Sequence, residues 1–388
     1  MTLLLLACAA SQEIAVDLSR HDPACGVRLE RRAGGLRAEW TADGGVACAA
    51  TFALAPGAPL LSSLEAGGKV LARDVDPRYV VTVGTRIERA NERYIFFDKP
   101  AKRPTKRHEA ALATTAVRAE SAGRRTSLAF AGLAAGPFSG ELAVTIYAGS
   151  PLLHVEAAMG VAERLVAYVY DFVLEGTFSE YAWKDTADRF VRVPAVGEPR
   201  PRAVRHRAVF GRAAAGALAV FPPPHAFFFP RDHTDNFEYA QAGGRRFGLR
   251  QDPDRKNAFV PWIDAPAGRV QRMGAFVLLH PGEPEEALER VKAYTRGDRF
   301  KEMDGRRTFT SHWHLRLAVA EMAGKPRAPE AAKVFKAMNV NLVHLAEFHG
   351  DGSPRDPGPK RLPGLAALPL KPPCWKRQRR SRLLRPAM

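Results

Sequence analysis

The sequence is poor in cysteine and lacks any long apolar run. It has 4 cysteines in 388 residues, and neither a CxxC pair nor the Cys/His spacing of a zinc finger occurs. No stretch approaches the roughly 18 uninterrupted apolar residues that a transmembrane helix needs, so we expect no spanning helix. Cys25 and Cys48 fall on neighbouring predicted strands. They could form a disulfide if their Cα atoms lie within about 7 Å, or remain two buried thiols.

Acidic residues are missing from the last part of the chain, and this explains much of its basic charge. Residues 361–388 contain eight Lys or Arg and no Asp or Glu. Without them the net charge falls from +17 to +9, because 50 basic residues then stand against 41 acidic ones. The charge therefore indicates no specific nucleic-acid partner for the rest of the chain. Within the tail, the basic cluster at residues 376–380 could contact nucleic acid, an anionic membrane or an import receptor.

The tail also differs in pattern from the chain before it. It has five prolines and no helical or strand period. Such a segment is typical of disorder or, in a coding sequence rich in G and C, of a shifted reading frame. We favour the second interpretation and expect the native chain to continue as a barrel, with this sequence leaving its frame near residues 361–365.

Residues 1–10, MTLLLLACAA, are similar to the end of a secretory signal peptide. Leu5-Leu6-Ala7-Cys8 also resembles a bacterial lipobox, in which Cys8 would carry a lipid and attach the protein to a membrane. The basic residues that usually precede the apolar run are missing, which a start codon placed too far downstream would explain. We expect an exported protein that is periplasmic, secreted or an outer-membrane lipoprotein.

Short runs in which apolar and polar residues alternate recur throughout residues 11–281. Leu142, Val144 and Ile146 form one such run, and a Gly-Ser-Pro turn separates it from a second run at residues 153–159. This pair is typical of a β-hairpin with one buried face. Similar runs recur, with Gly-rich turns and no helices between them, at residues 79–87, 110–120, 166–174, 217–221 and 272–279. The pattern predicts a large antiparallel β-sandwich in a mainly β protein.

A helix is predicted next, at residues 283–294. Pro284 suits its first turn, and Ala287, Leu288 and Val291 form one apolar face. We expect residues 282–305 to form a connector, made of this helix and a polar linker.

The hairpin at residues 146–156 resembles those of galactose-mutarotase-like and polysaccharide-lyase sandwiches. That resemblance implies a fold that binds sugars with aromatic and polar side chains. The segment at residues 224–239, PHAFFFPRDHTDNFEY, supplies polar residues of the loop type, and Trp262 follows nearby. The candidate ligand-binding residues are therefore Arg231, Asp232, His233, Asp235, Asn236 and Trp262.

A strand, a helix and a second strand are predicted between residues 306 and 360. Such a βαβ unit brings its two strands side by side in parallel. His312 and His314 are two residues apart on the first strand, and Glu347 and His349 are two apart on the second, so each pair shares a face. Asp351 follows in a Gly-Asp-Gly turn. Imidazole and carboxylate groups at strand ends suit a divalent metal such as zinc or manganese.

The Ser311-His312-Trp313-His314 strand resembles the HxH motif on the first strand of the amidohydrolase and PHP families of metal-dependent hydrolases. The resemblance implies a (β/α) barrel in which His312 and His314 are metal ligands. Glu347, His349 and Asp351 would then complete the coordination or move protons. A barrel of this kind needs about 200 residues or more, so residues 306–360 would supply only its first βαβ unit, and we expect little hydrolase activity from this chain.

Two functions remain open at this point. In the first, the protein is a fragment of an exported metal-dependent hydrolase whose metal activates water for attack on an ester, amide or phosphoester. In the second, the sandwich binds a carbohydrate or acts as a scaffold, and the histidine strands are structural. A small molecule or a carbohydrate is the partner that either function implies.

Overall fold

The computed structural model describes residues 14–85, 105–213, 215–223, 240–251 and 262–295, Lys333, and the backbone of residues 308–311 and 342–345. The chain divides into two compact units, Met1–Arg299 and Phe300–Met388. The signal-like residues 1–10, the linker at residues 296–305 and the basic tail at residues 361–388 lie outside the described residues.

The described part of the first unit consists of strands and one α-helix. The helix α1 is Pro284–Thr295. In chain order the strands are β1 (Ala15–Arg20), β2 (Val27–Arg32), β3 (Gly35–Thr41), β4 (Ala47–Ala53), β5 (Leu61–Ala66), β6 (Lys69–Thr85), β7 (Lys106–Glu109), β8 (Ala111–Leu112), β9 (Ala116–Ser121), β10 (Arg125–Ala135), β11 (Phe138–Tyr147), β12 (Leu152–Val161), β13 (Val166–Glu175), β14 (Glu180–Lys184), β15 (Phe190–Pro194), β16 (Arg200–Arg202), β17 (Val209–Ala213), β18 (Gly216–Phe221), β19 (Ala240–Gly243), β20 (Arg246–Leu249), β21 (Ile263–Ala265) and β22 (Val270–His280).

These strands form two large sheets. The first sheet has the order β1-β9-β10-β11-β12-β22-β18-β17-β14-β15, with β8 paired to β10. The second has the order β16-β19-β20-β13-β6-β5-β4-β3-β2, with β21 paired to β13 and β7 paired to β6. The prediction of a mainly β sandwich is thus confirmed.

The hairpin of β11 and β12 shows why the alternating pattern produces a sandwich. Leu142, Val144 and Ile146 are almost fully buried, while the residues between them are partly exposed. Because side chains alternate across a strand, one face of the hairpin joins the core and the other faces outward. The pairing is antiparallel, as predicted, but β1 runs parallel to β9, with Ala15 opposite Ala116.

The main core lies between the two sheets. Phe52 of β4 and Phe130 of β10 are fully buried, and their ring centroids are 5.5 Å apart. Tyr79 of β6 donates its hydroxyl hydrogen to the carbonyl oxygen of Val155 in β12, at 2.9 Å. This hydrogen bond gives a buried polar atom a partner and ties one sheet to the other.

The helix α1 packs on the outer side of the first sheet. Its residues Ala287, Leu288 and Val291 are buried in a second apolar cluster with Phe210 and Ala219 of β17 and β18. The predicted helix at residues 283–294 is therefore confirmed within one residue at each end. Among the described residues, no helix combines the length and the apolar character needed to span a bilayer.

Ion pairs hold both ends of α1 to the sandwich. Glu283, just before the helix, accepts hydrogen bonds from Arg192 at 3.0 Å and from Arg212 at 2.7 Å. Near the other end, Arg290 donates to both carboxylate oxygens of Asp43, in the turn between β3 and β4, at 2.5 and 2.6 Å. The helix is thus fixed to the sandwich along its length.

The two cysteines of the sandwich are buried free thiols, so the alternative of a disulfide is not realised. Cys25 lies in a short 3-10 turn, and its Sγ is 3.0 Å from the hydroxyl of Thr126. Cys48 lies on β4, where burial raises the pKa of its thiol to about 11. A pKa this high keeps the Cys48 thiol protonated and unreactive at neutral pH.

The second unit contains the two strands predicted for the βαβ motif. β23 is Thr308–Ser311 and β24 is Leu342–Leu345, and they pair in parallel with Thr308 opposite Leu342. Parallel pairing confirms one feature of the predicted unit. The helix predicted between the two strands lies outside the described residues, apart from Lys333.

Candidate functional site

The predicted metal ligands follow the carboxyl ends of β23 and β24. These strands end at Ser311 and Leu345, which are opposite each other in the pairing. The residues predicted as ligands or proton carriers lie outside the described residues: His312, His314, Glu347, His349 and Asp351. Within the described part of the chain, no group of three or more His, Cys, Asp or Glu side chains is arranged to hold a metal ion. The metal site therefore stays a prediction.

Of the predicted ligand-binding residues, the structure describes only Trp262. It is half-buried and directly precedes β21. The others lie outside the described residues: Arg231, Asp232, His233, Asp235 and Asn236. Their segment, residues 224–239, follows the chain after β18 and ends where β19 begins at Ala240.

β13 is a central strand of the second sheet, between β6 and β20. Along one edge it pairs continuously with β6, from Val166 to Glu175. Along the other edge it pairs with β21 up to Tyr168 and with β20 from Phe172 onward. Among the described residues, no strand pairs with residues 169–171 along this second edge. We call this stretch the β13 gap.

The described residues Gln251 and Trp262 both lie beside the β13 gap. Gln251 contacts this stretch of β13, since its side-chain Oε1 accepts a hydrogen bond from the backbone N–H of Tyr170, at 3.1 Å. Trp262 is at the other end of the same stretch, since it directly precedes Ile263, which pairs with Tyr168. Ala240 pairs with Leu249, one strand farther out. The topology thus brings Trp262 and Ala240, the first described residue after the 224–239 segment, to the same part of the second sheet.

Asp171 is a buried carboxylate at the β13 gap. Tyr170 and Phe172 face the core, so Asp171 points to the opposite side of the sheet, yet it is only 2% exposed. Its Oδ1 accepts the backbone N–H of Gln251 at 2.7 Å, and its Oδ2 accepts a hydrogen bond from Arg107 at 3.2 Å. Burial raises the pKa of Asp171, and the positive charge of Arg107 opposes that rise.

A row of ion pairs continues from Asp171 along the same face of the second sheet. Glu175 accepts a hydrogen bond from Arg246 Nε at 2.8 Å, and the same guanidinium reaches Glu109 at 2.8 Å. Asp76, directly opposite Glu175, pairs with Arg78 at 2.9 Å. This face therefore carries carboxylates and guanidinium groups on four adjacent strands, β7, β6, β13 and β20.

The sequence interpretation missed Asp171, although its signal was present. Residues 166–174, VAYVYDFVL, are a buried strand in which Asp171 is the only charged residue. A carboxylate in such a strand costs free energy unless it has partners, so it usually marks a built polar contact. Its partner Gln251 is 80 residues away, and nothing in the sequence indicates that the two residues are in contact.

A second polar cluster lies on β3, β4 and β5. Arg37 donates to both oxygens of Glu65 at 2.8 and 2.9 Å, and to Glu39 at 2.9 Å. These hydrogen bonds lower the pKa of both Glu65 and Glu39. The cluster forms part of the lining of an open cleft of about 560 Å³, together with Trp40. Because its charges already satisfy one another, we assign it a structural role.

No family model and no curated protein matches this chain. Partly similar solved structures include a protein in the glycosyl hydrolase family 38 from Enterococcus faecalis, at 11% identity and a TM-score of 0.31. They also include an alpha-mannosidase from Enterococcus faecalis V583, at 11% identity and a TM-score of 0.32. Both cover 72% of this chain, but the chain spans only 33% and 32% of their lengths. At such TM-scores the function must be argued from this chain's own residues.

Proposed function

We propose that the second unit carries the metal site of a metal-dependent hydrolase, with zinc or manganese as the metal. The supporting observation is the parallel pairing of β23 with β24, in which Ser311 stands opposite Leu345. In parallel α/β structures, ligands gather where strands end at their carboxyl side. His312 and Glu347 come one and two residues after these strand ends.

The donor set fits such a metal chemically. Two imidazoles and a carboxylate are ligands that zinc and manganese accept, and a bound divalent metal lowers the pKa of a water molecule to near neutrality. In this proposal His312 and His314 bind the metal, Glu347 and His349 complete the coordination or accept a proton, and Asp351 orients them. The substrate would be an ester, amide or phosphoester.

Metal content tests this proposal without requiring turnover. The full chain is purified, incubated with zinc or manganese, desalted and analysed by elemental mass spectrometry. We expect one metal per chain in the wild type and loss of it in the double variant His312→Ala, His314→Ala. A control double variant, His108→Ala with His280→Ala, removes two imidazoles from the sandwich and should keep the metal. Equal metal content in all three proteins, or none in any, would contradict the proposal.

We propose as a second candidate that the sandwich binds a carbohydrate at the β13 gap. The observation that favours it is the position of Trp262, directly before Ile263, which pairs with Tyr168 three residues from Asp171 on β13. Aromatic rings pack against the apolar face of a sugar, and planar carboxylate and guanidinium groups pair with its hydroxyls. In chain order the polar segment at residues 224–239 falls between β18 and β19 of the sandwich.

Calorimetric titration of the full chain with neutral oligosaccharides tests the second candidate. We expect saturable binding that is weakened at least about tenfold in Trp262→Ala, because aromatic anchors dominate binding energy. Val270→Ala, which trims an exposed apolar residue of the first sheet, should bind like the wild type. The double variant His312→Ala, His314→Ala should also keep its sugar binding, which separates the two functions. Binding that Trp262→Ala leaves unchanged would rule out the β13 gap.

A further inference from the structure

A strongly basic segment begins on strand β16. Residues 200–207 read RPRAVRHR, and β16 itself contributes Arg200, Pro201 and Arg202. In the described structure β16 pairs only with β19, so it forms one edge of the second sheet. Arginine and proline on an edge strand discourage pairing with another chain. Protection of the sheet edge explains why β16 carries positive charge, but it does not explain the position of the Arg202 side chain.

Arg202 crosses from the second sheet to an aromatic ring of the first. Its Cζ lies 5.0 Å from the ring centroid of Trp183 in β14, a cation–π contact. Trp183 is only 6% exposed, and Val204, two residues after Arg202, is fully buried. The guanidinium group therefore lies over a buried ring of the opposite sheet, and this contact restricts its position.

The charge of Arg202 has no acidic partner among the described residues. Its one hydrogen bond there runs from Nη2 to the carbonyl oxygen of Ala242, at 3.3 Å, and its buried Nε has none. The contrast is with Arg205 in the same segment, which pairs with Asp188 at 3.2 Å. Burial, together with the nearby charge of Arg200, lowers the pKa of Arg202. A partly desolvated cation without a counter-charge costs free energy, which a bound anion would recover.

We propose that Arg202, which lies over the Trp183 ring and is flanked by Arg200, is the binding site for an oxyanion group of an acidic ligand. A planar guanidinium is the side chain best suited to bind a carboxylate or sulfate through paired hydrogen bonds. Such a group can come from a free anion or from an acidic sugar such as a uronic acid. This site lies on the sandwich and does not depend on the metal site of the second unit.

Thermal unfolding of the full chain with added ligand tests the site and identifies the source of the oxyanion. Glucuronate, acetate and sulfate are titrated separately, with glucose as the neutral match to glucuronate and sodium chloride at equal ionic strength. We expect a saturable rise in Tm with glucuronate that glucose does not reproduce. A rise with acetate and sulfate alone would support the site and assign it to free anions, whereas no saturable rise with any anion would overturn it.

Variants then assign the effect to Arg202. Arg202→Gln and Arg202→Met should weaken anion binding by at least about tenfold, because a hydrogen bond to a charged group is lost. Arg205→Gln removes a neighbouring arginine that already has Asp188 as its partner, and should bind like the wild type. Arg202→Met keeps the bulk over Trp183, so it provides a folded comparison if Arg202→Gln unfolds. Unchanged anion binding in Arg202→Met would overturn the proposal.

Stability without ligand separates a binding role from a purely structural one. Since Arg202 has no carboxylate to lose among the described residues, Arg202→Met should unfold at the same temperature as the wild type or higher. The difference in Tm should reverse in saturating glucuronate, which stabilises only the wild type. A lower Tm in Arg202→Met that no anion changes would mean that Arg202 serves the fold alone.

Discussion

Replacing Asp171 tests whether burial or the ion pair with Arg107 dominates its energy. In Asp171→Ala the backbone N–H of Gln251 loses its acceptor, and an unsatisfied buried donor costs about 1–3 kcal/mol. Arg107 is 50% exposed, so its charge returns to water at little cost and the pair itself contributes at most about 1 kcal/mol. Removing the buried charge also removes its desolvation penalty, which offsets part of this loss of folding free energy. We therefore expect a net destabilisation of about 1–2 kcal/mol.

Asp171→Asn separates the two contributions because the amide oxygen still accepts the Gln251 N–H while the charge is gone. At pH 7 we expect this variant to be within about 1 kcal/mol of the wild type. Urea unfolding of the full chain, followed by fluorescence and circular dichroism, measures both variants. For a domain of this size, 1 kcal/mol corresponds to about 2–4 °C in Tm, so thermal scans provide a second measurement.

The dependence on pH gives the sharper test. Burial raises the pKa of Asp171 in the folded protein above its unfolded value. Its protonation therefore favours the folded state, so its contribution to stability is largest at acidic pH and is lost as the pH rises through the folded-state pKa. The Asn variant does not titrate there, so the wild type should gain stability relative to it between pH 7 and pH 4. If the wild type instead loses stability relative to Asp171→Asn, the ion pair with Arg107 dominates and our reasoning is wrong.

Three further changes test the sandwich and its helix by urea unfolding. Glu65→Gln should cost about 1 kcal/mol at pH 7, since it removes a charge-assisted pair with Arg37. Because Arg37 lowers the pKa of Glu65, that cost should fade as the pH falls below about 4, and a cost that grows would contradict the assignment. Tyr79→Phe should cost about 1 kcal/mol by removing the hydrogen bond to Val155, and no loss would show that this inter-sheet bond is not needed. Leu288→Ala should cost about 2–5 kcal/mol because it empties the contact between α1 and the first sheet, and a loss below 1 kcal/mol would mean that α1 is only loosely attached.

The strands of the sandwich could be predicted because burial of one sheet face leaves a period of two in the sequence. Leu142, Val144 and Ile146 are buried as that pattern requires. The parallel pairing of β1 with β9 left no such trace, because a strand buried on one face has the same alternation in either direction. Ala15 and Ala116 are about 100 residues apart, and only the fold brings them together.

The contacts within the candidate sites could be predicted only in part, because a sequence pattern does not show which distant residues pair with each other. A single polar residue in an apolar run marks Asp171 as unusual, but the pattern does not name Gln251 or Arg107 as its partners. For His312 and His314, the parallel strand pairing beside them is confirmed, while their coordination of a metal stays a prediction.

The β13 gap is a built feature of the sheet, as its hydrogen bonds show. A continuous strand joining β20 to β21 would satisfy the backbone of Tyr170 with an ordinary ladder bond. Instead the side chain of Gln251 accepts the Tyr170 N–H, while its backbone N–H is donated to Asp171. Two specific side chains thus replace what any backbone would supply, and one of them is a carboxylate that is costly to bury. A backbone ladder would need neither side chain, so this arrangement is specific to these residues. Our proposal of carbohydrate binding therefore directs the search for a sugar to the part of the second sheet near Asp171 and Trp262.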